Sequence, residues 1–216
     1  AGLATAGTSV LLWDGWRKVL LGLGISTIAG FILGYIMMLV IYWIFRRANT
    51  SGVRNVFGRL QILSAAFMAF SHGSNDGQKF MGVFAMALYI GGILPAFYVP
   101  GWVMLLCGVI MALGTAVGGW RIIKTMGFGL TKLEPVQGFA AETSASIAIL
   151  VASSMGIPLS TTHSINATIL GVGATKRLSA VRWDTTAQIV MTWIITFPVC
   201  FVLGYLLTLI LKPIMT

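Results

Sequence analysis

Long apolar runs separated by short basic clusters leave this chain only one kind of solvent. The runs are 19–45, 60–94, 102–119, 136–155, 164–175 and 187–211. Between them sit Arg46, Arg47, Arg54 and Arg59, then Arg121, Lys124 and Lys132, then Lys176, Arg177 and Arg182. Only 9% of the 216 residues are charged, against about 25% in soluble domains, and mean hydropathy is +0.93. Too few polar groups exist to cover a globular surface, so a lipid bilayer is the expected partner. The net charge of +9 does not mark a nucleic-acid binder, because the basic residues lie where membrane topology signals lie.

Run length and charge together give an expected topology. A helix over 19–45 rises roughly 40 Å, enough to cross a ~30 Å hydrocarbon core with tilt. Trp13 and Trp16 precede it and Trp43 lies near its far end, as interfacial or packing aromatics. Trp13-Asp14-Gly15-Trp16-Arg17 reads as an interfacial turn. A single helix over 60–94 would be roughly 52 Å long, so a break is expected at the polar insert 72–79. Helices are expected over 102–119 and 187–211, the latter capped by Asp184 beside an interfacial Trp183. The positive-inside rule puts clusters 46–59, 121–132 and 176–182 on the cytoplasmic side. The stretch 136–175 must then leave that side and return. Its second arm is only 12 residues, roughly 18 Å, too short to span. The expectation is a re-entrant helical hairpin with Ser160, Thr161 and Thr162 at membrane depth.

Irregular backbone at that depth survives only when buried in protein or lining a wet cavity, so both polar breaks are candidate sites. In the first, Gly73 and Gly77 permit unusual backbone angles, and Ser74, Asn75 and Asp76 are good N-cap types for a following half-helix. Asp76 is either such a cap or a functional charge within the membrane. In the second, Pro158 interrupts the helix, and Ser160 or Thr161 can cap a short helix starting near Thr162. Hydroxyls and free helix amides make an anion cradle there. Glu142 stands alone between 136 and 155, with an ion, a proton or Lys79 as its expected partner. His72 and His163 flank the breaks as structural residues or proton relays. Cys107 and Cys200 lie within apolar runs and read as small core residues.

Gly73-Ser74-Asn75-Asp76 and Pro158-Leu159-Ser160-Thr161-Thr162-His163, with Glu142-Thr143 between them and Leu60-Gln61-Ile62-Leu63-Ser64-Ala65 before, resemble the inorganic phosphate transporter family. The likeness runs from about Trp13 to the C-terminus. It implies an all-α transmembrane bundle with broken helices and a re-entrant hairpin, forming one inverted-repeat half of a secondary transporter. It implies transport rather than enzyme chemistry, with inorganic phosphate as substrate and no cofactor beyond a coupling cation, sodium or a proton. Ser160, Thr161 and Thr162 would bind phosphate. Asn75, Asp76 and Glu142 would hold the coupling ion, as sodium ligands if it is sodium, and Ser74 would join either group.

The sequence departs from the family pattern at Gly77-Gln78-Lys79, where Lys79 can pair with Asp76 and change the choice of ion. It also carries one copy of each motif where the family carries two. With no initiator Met, the chain reads as the C-terminal half of a longer protein, or as one of two associating copies. The expected location is the plasma membrane of a prokaryote. Another tetrahedral oxyanion such as sulfate, or a non-transporting subunit or channel, is the competing function.

Overall fold

The computed structural model describes residues 2–131 and 133–215; Lys132 and the side chain of Arg121, both in the second basic cluster, lie outside the described residues. The described residues form helices joined by turns and loops, with no strand among them. Two short turns over residues 2–10 precede α2 (Trp13–Phe45), α3 (Thr50–Ile90), α4 (Gly101–Lys124), α5 (Pro135–Ser154), α6 (Thr161–Ala174) and α7 (Trp183–Met215), the first short turn being α1 (Gly2–Ala6). Among the described residues, four helices are long and apolar enough to cross a membrane: α2, α4, α5 and α7.

α2 packs along α6 and α3 along α5 of the α5–α6 hairpin, in one register. Gln61, Ser64, Met68 and Asn75 of α3 face Gly138, Glu142, Ser146 and Ser153 of α5 in the same order, so these two helices run parallel. Gly22, Gly30 and Gly34 of α2 meet Pro158, Ser164 and Thr168 in the same order, so α2 and α6 run parallel as well. Small residues drive this contact. Gly22, Ser26, Gly30, Gly34 and Met38 recur every four residues as the buried face of α2. Lipid supplies no hydrophobic drive for helix association, so close backbone approach along such a seam is what holds the helices together. A Cβ on Gly34 would sit 2.5 Å from the Thr168 carbonyl oxygen, and one on Gly171 would strike the Phe31 carbonyl. Gly34→Leu is therefore expected to abolish recovery of monodisperse protein, because overpacking typically costs about 1–3 kcal/mol even for modest insertions. Gly24→Ala, where a Cβ meets nothing, is expected to purify like the parent; equal recovery of both variants would disprove the seam.

One end of the bundle gathers the basic clusters. Phe57 packs edge-on against Phe45 and Phe139, each at 5.2 Å between ring centres, in a core with Leu130, Ile41 and Val172. Glu134 caps α5 with a reciprocal Gln137 bond, which satisfies two of the helix's orphan amides. Lys176 reaches Glu134 at 3.3 Å, and the Arg182 amide donates to the Leu130 carbonyl at 3.0 Å. Both ends of the α5–α6 hairpin thus lie at the end where α2 finishes and α3 begins.

The far ends are set by glycine. Gly92 and Gly156 take positive φ, +73° and +65°. Their amides bond back to Tyr89 and Ser153, while Ile93 and Ile157 bond back to Leu88 and Ala152. Both are Schellman stops, which end a helix while satisfying its last carbonyls.

Several expectations are corrected. The helix over 60–94 is not broken: α3 is continuous from Thr50 to Ile90. In the polar insert Asn75, Asp76 and Lys79 find partners across the bundle, so no break is needed. The first ten residues, which carry Arg54 and Arg59, are the basic segment, which shortens the apolar length. Ser74, Asn75 and Asp76 are accordingly mid-helix and cap nothing; Asn49 is the cap of α3. Trp13 to Arg17 is helical rather than a turn, and Asp184 lies in the first turn of α7 rather than at its cap. Cys107 is half-buried and Cys200 exposed, so neither is a core residue. The most apolar stretch of α7 has no buried residue. A helix exposing Ile, Leu, Phe and Val on every side meets lipid or further protein.

Candidate functional site

The hairpin tip stops partway along its neighbours. Thr161, the first residue of α6, meets Asp76, and α3 continues from there to Ile90, roughly another 21 Å. Pro158 lies against Gly22, nine residues into α2. With 14 residues, α6 rises only about 21 Å.

The tip is built by the turn that closes it. After the Gly156 stop and Pro158, Ser160 takes an extended conformation and its hydroxyl accepts the His163 amide at 3.3 Å. The first intrahelical bond runs from the Ser164 amide to the Ser160 carbonyl at 3.0 Å. The amides of Thr161 and Thr162 precede it and lie where the helix carries partial positive charge. Thr161 is buried and its hydroxyl donates to Asp76 Oδ2 at 2.8 Å. Thr162 is exposed, and its hydroxyl makes no hydrogen bond among the described residues. A cavity of about 290 Å³ opens here, lined by Ser160, Thr161, Thr162, Asp76 and Lys79.

Asp76 is the hub. Lys79 Nζ lies 2.7 Å from its Oδ1, and His72 Nδ1 lies 3.3 Å from its Oδ2. Lys79 also donates to the Leu159 carbonyl at 3.1 Å, tying α3 to the turn before α6. Glu142 sits elsewhere. Its carboxylate accepts from Ser64, not from Lys79, whose reach is spent on Asp76 one helical turn away. Glu142, Thr161, Thr162 and His72 line one wall of a second, largely apolar groove of about 1310 Å³ between α3 and α4.

Of the residues expected at a site, the fold brings Asp76, Ser160, Thr161 and Thr162 together. Asn75 points to α5 instead, its Oδ1 accepting from Ser153 at 3.4 Å, and Nδ2 is buried without a partner among the described residues. Ser74 lines neither cavity; two residues before Asp76, it lies about 200° around the helix from it. No group of three or more His, Cys, Asp or Glu is gathered among the described residues. Asn75 meets Ser153 while Glu142 meets Ser64, eleven residues apart along both helices, so Asn75, Asp76 and Glu142 do not form one cluster in this conformation. His163 stacks on Trp193 of α7 at 3.7 Å between ring centres, which makes it a packing residue here. Gln61, Ser64, Ser71 and Asn75 form a polar stripe, of which a reading by motif passes over Ser71. Their spacing of three, seven and four puts them on one face of an otherwise apolar helix, a signal legible by counting.

Comparison with known proteins bears on the chain as a whole. The model of the phosphate transporter family matches residues 1–204. A probable low-affinity inorganic phosphate transporter of Rhizobium meliloti is 46% identical over 199 residues, covering 92% of this chain and 60% of that protein. Another from Bacillus subtilis is 39% identical over 215 residues, covering 99% of this chain and 65% of its own length. One from Mycobacterium tuberculosis is 36% identical over 207 residues and covered to 50%. The chain thus spans half to two-thirds of these relatives. A solved structure described as the sodium-dependent phosphate transporter shares the fold, with a TM-score of 0.83 and 23% identity over 99% of this chain and 70% of that one.

Proposed function

This chain belongs to the phosphate transporter family, and on that premise we propose that it carries inorganic phosphate across a membrane by secondary transport, coupled to sodium or a proton. The observation that carries the reading is the amino end of α6, opening with an unbonded Thr162 hydroxyl into a cavity partway along membrane-length helices. Helix amides and hydroxyls hold a phosphate without a fixed arginine clamp, which suits a substrate that must leave again. Ser160, Thr161 and Thr162 are the phosphate contacts in this reading. Asp76 is the cation-sensing charge beside them, and Asn75 and Glu142 join it in other states of the cycle. The expected setting is the plasma membrane of a prokaryote.

The apolar groove between α3 and α4 and the exposed faces of α7 support completion of the site by more protein. That protein is the remainder of the polypeptide or a second copy. Radiolabelled phosphate uptake into liposomes carrying the complete transporter tests the function. Saturable uptake that collapses with the ion gradient and resists sulfate is expected. Sulfate competing as well as phosphate would reassign the substrate, and gradient-independent flux would make it a channel.

The α5–α6 hairpin is read as re-entrant. Cysteines at Glu134 and Leu178, its two flanks, are expected to react with an impermeant maleimide from the same face, the cytoplasmic one. Labelling from opposite faces would mean that the hairpin crosses.

A further inference from the structure

We propose that Lys79 is a tethered cation standing where a coupling sodium ion would otherwise bind, and that it makes the Asp76 site indifferent to sodium. This inference rests on the transport reading above. Lys79 Nζ is held by Asp76 Oδ1 at 2.7 Å and by the Leu159 carbonyl at 3.1 Å. A carboxylate and an unwound backbone carbonyl are the oxygen donors that an alkali cation takes at a broken membrane helix. Leu159 is free to serve because it lies in the turn after Pro158, outside the helical bonding of α6. The continuity of α3 matters as well: only an intact helix sets Lys79 one turn beyond Asp76, on the same face.

The other carboxylate oxygen is also engaged. Asp76 Oδ2 accepts from Thr161 at 2.8 Å and faces His72 at 3.3 Å. A sodium ion entering here must displace the ammonium group. The charge arithmetic gives the ammonium its purpose. An uncompensated carboxylate 2.8 Å from Thr161 would repel an anion arriving at the same helix end. A neutralising cation has to be present when phosphate binds, and where none is tethered, that requirement couples sodium to the substrate. Here Lys79 supplies the charge covalently.

The test uses the complete transporter in liposomes, with phosphate uptake measured in sodium and in choline at equal ionic strength and equal proton gradient. The parent and Lys79→Arg are expected to take up phosphate equally in both. Lys79→Met is expected to lose at least about tenfold in choline, about 1.4 kcal/mol of transition-state stabilisation, and to recover in sodium. A second readout needs no transport. Sodium, but not choline, is expected to raise the melting temperature of purified Lys79→Met, leaving the parent and the Asp76→Asn/Lys79→Met double variant unmoved. The inference is overturned by a parent that requires sodium, or by Lys79→Met matching the parent in choline. It is also overturned by a loss that sodium does not restore, which would make Lys79 a phosphate contact. A parent that takes up no phosphate would sink the transport reading instead, and the melting comparison would still decide the role of Lys79.

Discussion

Asp76→Asn in the complete transporter is expected to lower phosphate uptake by about tenfold or more, while folded yield stays close to the parent's. Asparagine preserves the shape and can still accept from Thr161. It cannot balance the charge of Lys79, whose ammonium lies 2.7 Å away and would keep only the Leu159 carbonyl as its bonded partner at the mouth of the anion cradle. The structure has removed the simplest rival account. Asp76 is 26 residues into a 41-residue helix, so it caps nothing, and a loss of uptake cannot be a loss of capping. The remaining rival is a purely structural ion pair. The Asp76 side chain is 22% exposed and that of Lys79 is 51% exposed, and pairs in that range are typically worth about 0–1 kcal/mol. If Asp76→Asn moves recovery and melting temperature but leaves uptake per folded molecule unchanged, the pair is structural and the functional assignment fails.

Thr162→Val is expected to weaken phosphate binding by about 1–3 kcal/mol, the range for removing a hydrogen bond to a charged group, with little effect on folding. Its hydroxyl faces the cavity and is committed to nothing else among the described residues. Thr161→Val should behave differently, although the two residues look equivalent in sequence. The Thr161 hydroxyl is buried and tied to Asp76, so its loss should disturb both phosphate affinity and the Asp76 response. Ser160→Ala removes the cap of α6 and should reduce folded yield first, since losing such a cap costs about 0.5–2 kcal/mol. Phosphate affinity on purified, monodisperse full-length protein separates the three. Parental affinity in all of them would place the cradle elsewhere while leaving the family membership intact.

Apolar run length, the basic clusters and the turn chemistry at 156–162 are local properties of the chain, so their consequences were decided by sequence alone. Those consequences are an all-helical membrane protein and a short second arm capped by Ser160 or Thr161, a choice the structure made for Ser160. The reach of Lys79 to Asp76, three residues away, was legible in the same way. Whether polar residues 72–79 would turn on their own backbone or look outward was not. Gly73, Ser74 and Asn75 suit a helix end, and local propensity favours a break. The tertiary structure decided otherwise, because Ser153, Thr161 and Leu159 arrive from the α5–α6 hairpin to meet Asn75 Oδ1, Asp76 and Lys79. A helix whose polar groups are satisfied across an interface has no need to open. The same packing sent Glu142 to Ser64 and Asn75 toward α5, and separated Thr161 from Thr162 in role. Each outcome depends on which helices lie parallel and in what register. Glycines at 22, 30, 34, 138 and 171 set that register through close contacts between residues far apart in the chain, where no local pattern reaches.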